Sequence, residues 1–204
     1  MRAGPSLRRA GYHNVILTKE ASLNFENIEK EMSNFFISRL SLLETTEITR
    51  YEYNDGSTYS VASGVFNDPS DPVSVIFSIS KNSKHFFFTI TDGDPTKLVQ
   101  DFAALQQYCE NVTELCVEHT VASKNSYLID NGFTGYILID ATNFHELLAD
   151  VLEVNNVKVK GIAVIPLTYD ELEIKRQSGI SALYEHWSTV NKDCVKFSSS
   201  KNKQ

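Results

Sequence analysis

Residues 161–179 read GIAVIPLTYDELEIKRQSG, and the order of events in that stretch decides the fold. An apolar run of strand type, begun at VKVK (157–160), comes to Pro166, which has no N–H to give a β-ladder and so predicts the strand's end. Two residues later Thr168-Tyr169-Asp170-Glu171 forms a capping box. The Thr168 hydroxyl is placed to accept from the Glu171 N–H, and the Glu171 carboxylate to reach back to the Thr168 N–H. Asp170 and Glu171 also suit the positive end of the helix dipole. Gly179 fits the left-handed position that closes a helix, and Ile180, Leu183, Tyr184 and Trp187 then recur at helical spacing. Strand, cap, helix, break and helix all have structural reasons, and none requires a substrate.

Working outward, the same signals recur along the chain. Ser22 is a candidate cap for a helix carrying Phe25, Ile28, Met32, Phe35, Phe36, Leu40 and Leu43 on one face. TEITRYEY (46–53) and STYSVASGVF (57–66) flank Asn54-Asp55-Gly56, a hairpin signal. FNDPSDP (66–72) reads as a loop. SVIFSIS (74–80) and HFFFTIT (85–91) form a second hairpin around KNSK, and Phe86-Phe87-Phe88 predicts a strand covered on both faces. Asp94 caps and Pro95 opens a helix with Leu98, Phe102, Leu105 and Cys109 in one stripe. ELCVEHTV (114–121), SYLI (126–129) and GYILID (135–140) read as strands, and Asn143 with Glu146 starts a helix through Leu152. The expected class is α+β: a mixed, mainly antiparallel sheet flanked by helices.

A single domain over 15–197 is expected, preceded by a disordered basic leader at 1–14 and followed by a flexible tail at 198–204. The leader holds Arg2, Arg8 and Arg9 and no acid. The 19 basic residues less those three leave 16 against 26 acidic ones in the remainder. So acidic a body repels phosphate backbones, which argues against nucleic acid as a partner. No run of eighteen apolar residues and no secretory signal is found, so neither a membrane nor an export route is expected. Three cysteines, Cys109, Cys116 and Cys194, fit a reducing, cytoplasmic compartment.

Catalytic chemistry finds little footing. There is no Gly-x-Ser-x-Gly elbow and no glycine-rich phosphate cradle. The histidines (13, 85, 119, 145 and 186) form no helical i, i+4 pair, and Cys116 and His119, read on one strand, point to opposite faces. No catalytic, cofactor or metal residue is assigned. The acidic loops are the remaining candidates. Asp68 and Asp71 share one loop, and Asp92 and Asp94 another. They are read first as turn and cap residues, and as candidates for a surface that presents negative charge to a basic partner. The alternative is a hydrolase or metal-dependent enzyme using them. A self-associating adaptor, pairing through the TEITRYEY edge, is a further alternative.

The terminal pattern also resembles a family. A strand ending in proline, a helix with an early glutamate ("YDELE", 169–173), then "SGISALYEHW" (178–187) is similar to the end of the suppressor-of-fused domain. Pro166, Glu171, Gly179 and Leu183 match that pattern, and YSVASGVFNDPSDP (59–72) loosely resembles the family's strand with a Ser-Gly pair before a loop. The resemblance implies a binding scaffold and not an enzyme. Animal members hold a transcription factor inactive through a peptide that joins a sheet, and bacterial members resemble immunity proteins that neutralise a toxin. It thus implies a protein partner, with a basic toxin matched to the acidic body.

Overall fold

Three consecutive phenylalanines sort onto the two faces of one sheet. Phe86 and Phe88 enter one core cluster and Phe87 the other, and all are buried. Alternation along a strand requires this split, and helices on both faces give each ring a covered site. The computed structural model describes residues 19–40, 47–66, 73–80, 84–144, 152–154 and 157–197. Its elements are α1 (Lys19–Leu40), β1 (Glu47–Glu52), β2 (Thr58–Val65), β3 (Ser74–Ile79), β4 (His85–Thr91), α2 (Pro95–Asn111), β5 (Thr120–Ala122), α3 (Ser126–Asp130), β6 (Gly135–Asp140), β7 (Leu152–Val154), β8 (Val157–Leu167) and α4 (Tyr169–Val190).

The sheet runs β1-β2-β3-β4-β8-β6-β5, and β7 forms a hairpin with the start of β8. Among the described strands β4 and β8 alone pair in parallel, and the other pairings are antiparallel. The sheet is therefore mixed and mainly antiparallel, in an α+β fold. α2 covers one face through Leu98, Phe102 and Leu105, while α1 and the second half of α4 cover the other. Phe36 of α1 stacks on Phe77 with ring centroids 4.0 Å apart and sits edge-on to Phe86 at 5.5 Å. Gly161 on β8 makes room for this aromatic layer: a Cβ there would lie 2.9 Å from Phe86 Cζ.

Where caps are local, structure follows sequence. Asp94 Oδ1 accepts from the Thr96 N–H at 2.9 Å with Pro95 opening α2, and both halves of the Thr168–Glu171 capping box form. Gly179 breaks α4 with φ 84° and ψ −178°.

Several expectations are corrected. Ser22 lies inside α1, which already runs from Lys19. SYLI is helical, because the Asn125 side chain caps it by accepting from the Tyr127 N–H at 3.0 Å. Of ELCVEHTV only Thr120 and Val121 are in a strand; Cys116–His119 is a turn in which the Cys116 N–H donates to His119 Nδ1. Asn143 ends a short 3-10 turn (Ala141–Asn143) capped by Asp140, and Leu152 opens β7. Residues 145–151, the middle of the expected helix, lie outside the described residues, as do the leader and the tail. Pro166 sits within β8, opposite Tyr136, and the strand continues to Leu167. Pairing with β4 has stopped at Ala163, so no ladder donor is needed from the proline on that side.

Candidate partner-binding edge

The acidic loops come first. Asp68 and Asp71 lie outside the described residues. Asp92 and Asp94 sit together between β4 and α2, both exposed. Asp92 Oδ1 accepts from the Phe197 N–H at 2.7 Å, and the Asp92 N–H donates to the Val195 carbonyl at 3.0 Å. Asp92 thus ties the C-terminal segment to the sheet, while Asp94 caps α2. Each carboxylate has a structural task and still faces solvent. Among the described residues no three His, Cys, Asp or Glu side chains converge as a metal shell would require. Cys109 is a half-buried packing thiol. Burial raises its pKa, and its Sγ accepts from the Leu115 N–H at 3.3 Å.

The two ends of the sheet differ in kind. β1 bears Glu47, Arg50 and Glu52 among its six residues, the charged pattern that guards an edge against further pairing. β5 is Thr-Val-Ala, with no charge at all. Its inner side pairs with β6, and alternation of ladder bonds leaves Thr120 and Ala122 with backbone groups directed outward. Among the described residues nothing pairs with that side.

β5 is also the floor of a groove. A hollow of about 390 Å³ is lined by β5, by Tyr108 of α2, by Leu115, and by Leu172, Lys175 and Arg176 of α4. α2 and α4 cover opposite faces of the sheet, so a groove touching both runs along its edge. A bulge closes one end. The Glu118 N–H donates to the Leu138 carbonyl at 2.6 Å and the Leu138 N–H to the His119 carbonyl at 2.9 Å, two residues against one. Glu118 takes φ 70° to allow it, an uncommon conformation for a residue with a side chain.

Buried groups anchor the other end. The Asp101 carboxylate accepts from Ser123 Oγ at 2.8 Å and from the Tyr136 hydroxyl at 2.6 Å. Burial raises the Asp101 pKa, against the pull of these two donors. Gly135 lets β5 approach: a Cβ there would lie 2.3 Å from the Val121 carbonyl oxygen. The strand is short but held at both ends.

Comparison with known proteins fits this architecture. The family model described as suppressor of fused protein (SUFU) matches residues 75–196, more than half of the chain. The chain belongs to the suppressor-of-fused family. Solved structures of suppressor-of-fused proteins share its fold. A homologue from Neisseria gonorrhoeae FA 1090 superposes with a TM-score of 0.64 at 12% identity, covering 88% of this chain and 96% of that one. Drosophila Suppressor of Fused gives 0.61 at 9% identity, covering 87% of this chain and 51% of that one. A chain of the Sufu–Fu complex gives 0.59 at 8% identity, with 87% and 91% covered. No curated protein matches by sequence.

Sequence reasoning did not single out β5 or Lys175. ELCVEHTV carried β-rich residues, but its place at the sheet edge depends on which strands β8 joins, a long-range fact. The available signal was the absence of charge in TVA beside the charges of EITRYE.

Proposed function

We propose that this suppressor-of-fused domain is a non-catalytic protein-binding module that captures an extended segment of its partner along β5. The observation that carries the reading is an uncharged strand edge lying as the floor of a groove between two helices. A segment laid there would gain main-chain hydrogen bonds from Thr120 and Ala122 and side-chain contacts from both walls. Its relative in the Sufu–Fu complex is a protein seen with a protein partner.

The finer reading makes the partner a basic toxin and this protein its cytoplasmic immunity factor. The net charge of −7 supports it, since such a body steers a cationic partner inward. So do Asp92 and Asp94, which present exposed carboxylates, with Asp68 and Asp71 as further candidates. Among the described residues no helix is long and apolar enough to cross a membrane.

The test is co-purification with a toxin encoded beside this gene, with survival of toxin-exposed cells as the second readout. Capture and protection are expected from the wild type, and neither from Ala122→Pro. Cells expressing the wild-type protein that die at the normal toxin dose would overturn the immunity reading. Toxin capture undiminished by Ala122→Pro would overturn the edge.

A further inference from the structure

Lys175 differs from the other charged groups of the groove. It lies half-buried in the α4 wall and makes no ion pair or hydrogen bond among the described residues. Its neighbour Arg176 is already neutralised, donating from Nη1 to Glu173 Oε1 at 2.9 Å. The opposite wall presents Tyr108, Thr113 and Leu115, none of them charged. An uncommitted ammonium in a groove runs against the sign of a chain with net charge −7.

Sheet geometry says which residue of an added strand would meet it. Val121 points into the core beneath α2, so Thr120 and Ala122 point to the α4 side. Residues opposed across a strand pair share a face. A partner residue opposite Thr120 or Ala122 therefore reaches the wall of Leu172 and Lys175, and its two neighbours reach the wall of Tyr108 and Leu115.

We infer that the captured segment is a strand of alternating character, with an acidic side chain facing Lys175 and apolar side chains on either side of it facing Tyr108 and Leu115. This rests on the edge-capture reading and names the partner's local chemistry. A carboxylate meeting the half-buried ammonium makes a charge-assisted hydrogen bond. It also fixes register, because a slip by one residue would turn the carboxylate onto the apolar wall. A basic partner can carry such a segment: the acidic body acts at long range, the groove on one side chain.

The experiment selects a phage-displayed library of random linear heptapeptides on the immobilised full chain, and in parallel on Ala122→Pro and Lys175→Glu. Proline at Ala122 removes an outward N–H at an edge position that tolerates it, and circular dichroism verifies that each variant is folded. The wild-type pool is expected to be enriched in Asp or Glu flanked by apolar residues. A synthetic peptide from that pool should bind Lys175→Glu about tenfold more weakly, and the Lys175→Glu pool should turn to Lys or Arg at that position. Peptides that need Ala122 but have the same composition in the wild-type and Lys175→Glu pools would overturn the acidic-strand inference and leave edge capture standing. Peptides that bind Ala122→Pro as well as wild type, or no selected peptides at all, would overturn edge capture and the inference with it.

Discussion

The Lys192 ammonium sits 2.7 and 2.8 Å from the two carboxylate oxygens of Glu171, which also accepts from Trp187 Nε1 at 2.8 Å. The same ammonium donates to the Pro166 carbonyl at 2.9 Å. The two ends of α4 are thereby tied to each other and to the end of β8. Glu171 is 5% exposed, so removing one partner strands a charge in the interior. Glu171→Gln should lower stability by about 3–5 kcal/mol in urea denaturation at neutral pH.

That loss should depend on pH. Burial acts to raise the Glu171 pKa, but the Lys192 hydrogen bond and the Thr168 backbone N–H outweigh it, and the net shift is downward. A lowered folded pKa gives stability that is present above the unfolded value of about 4.3 and lost as pH falls through the folded one. Wild type and Glu171→Gln should therefore converge on acidification. A gap that stays constant down to acid unfolding would refute this.

Asp101 should show the opposite slope. Its pKa is raised by burial, so the stability it contributes is present below about 3.9 and lost as pH rises through the folded value. The Tm of wild type minus that of Asp101→Asn should be more positive at about pH 4 than at about pH 8. Tyr136→Phe, which strips a donor from this buried carboxylate, should cost about 1–3 kcal/mol.

Two glycines separate crowding from backbone strain. Gly161→Ala drives a methyl into the Phe86 and Phe88 rings and should cost about 1–3 kcal/mol. Gly179→Ala meets nothing within 4 Å, yet φ 84° with ψ −178° is a region almost reserved for glycine, so a loss of about 1–3 kcal/mol is again expected. A second change, Phe86→Leu, should recover part of the Gly161→Ala loss and none of the Gly179→Ala loss, as thermal melts would show.

Asp94 allows charge and cap to be parted. Asp94→Ala should cost about 1 kcal/mol through the lost cap, whereas Asp94→Asn keeps an acceptor for the Thr96 N–H and should be nearly neutral. If the loop faces a basic partner, Asp94→Asn slows association while stability holds, measurable by stopped-flow mixing at low salt. An unchanged association rate would remove Asp94 from the partner surface.

What could be read from sequence was the chemistry that closes within a few residues. Asp94-Pro95, Asn54-Asp55-Gly56 and Thr168 with Glu171 each satisfy their own backbone, and each forms as expected. SYLI misled because its apolar residues fit either period, and the deciding cap, Asn125, lies outside the run. Pro166 misled because a proline ends a ladder only where its missing N–H is needed, and that depends on where the pairing of β8 with β4 stops. The edge was beyond reach for the same reason: β5 is outermost only because β8 has entered between β4 and β6. Lys175, in a helix of mixed polarity, looked like any solvent-facing lysine.

That insertion also sets a timetable. Among the described strands β8 is synthesised after all the others, yet it lies inside the sheet, between β4 and β6. On the ribosome, at about 5–20 residues per second, β1 to β4 can pair as they emerge. Residues 120–140 then wait, on the order of seconds, for Val157–Leu167 to give them a sheet to join. Until then the paired strands β1 to β4 end on the bare edge of Phe86, Phe87 and Phe88. Synthesis halted before Val157 leaves β4 and β6 without the strand that joins them.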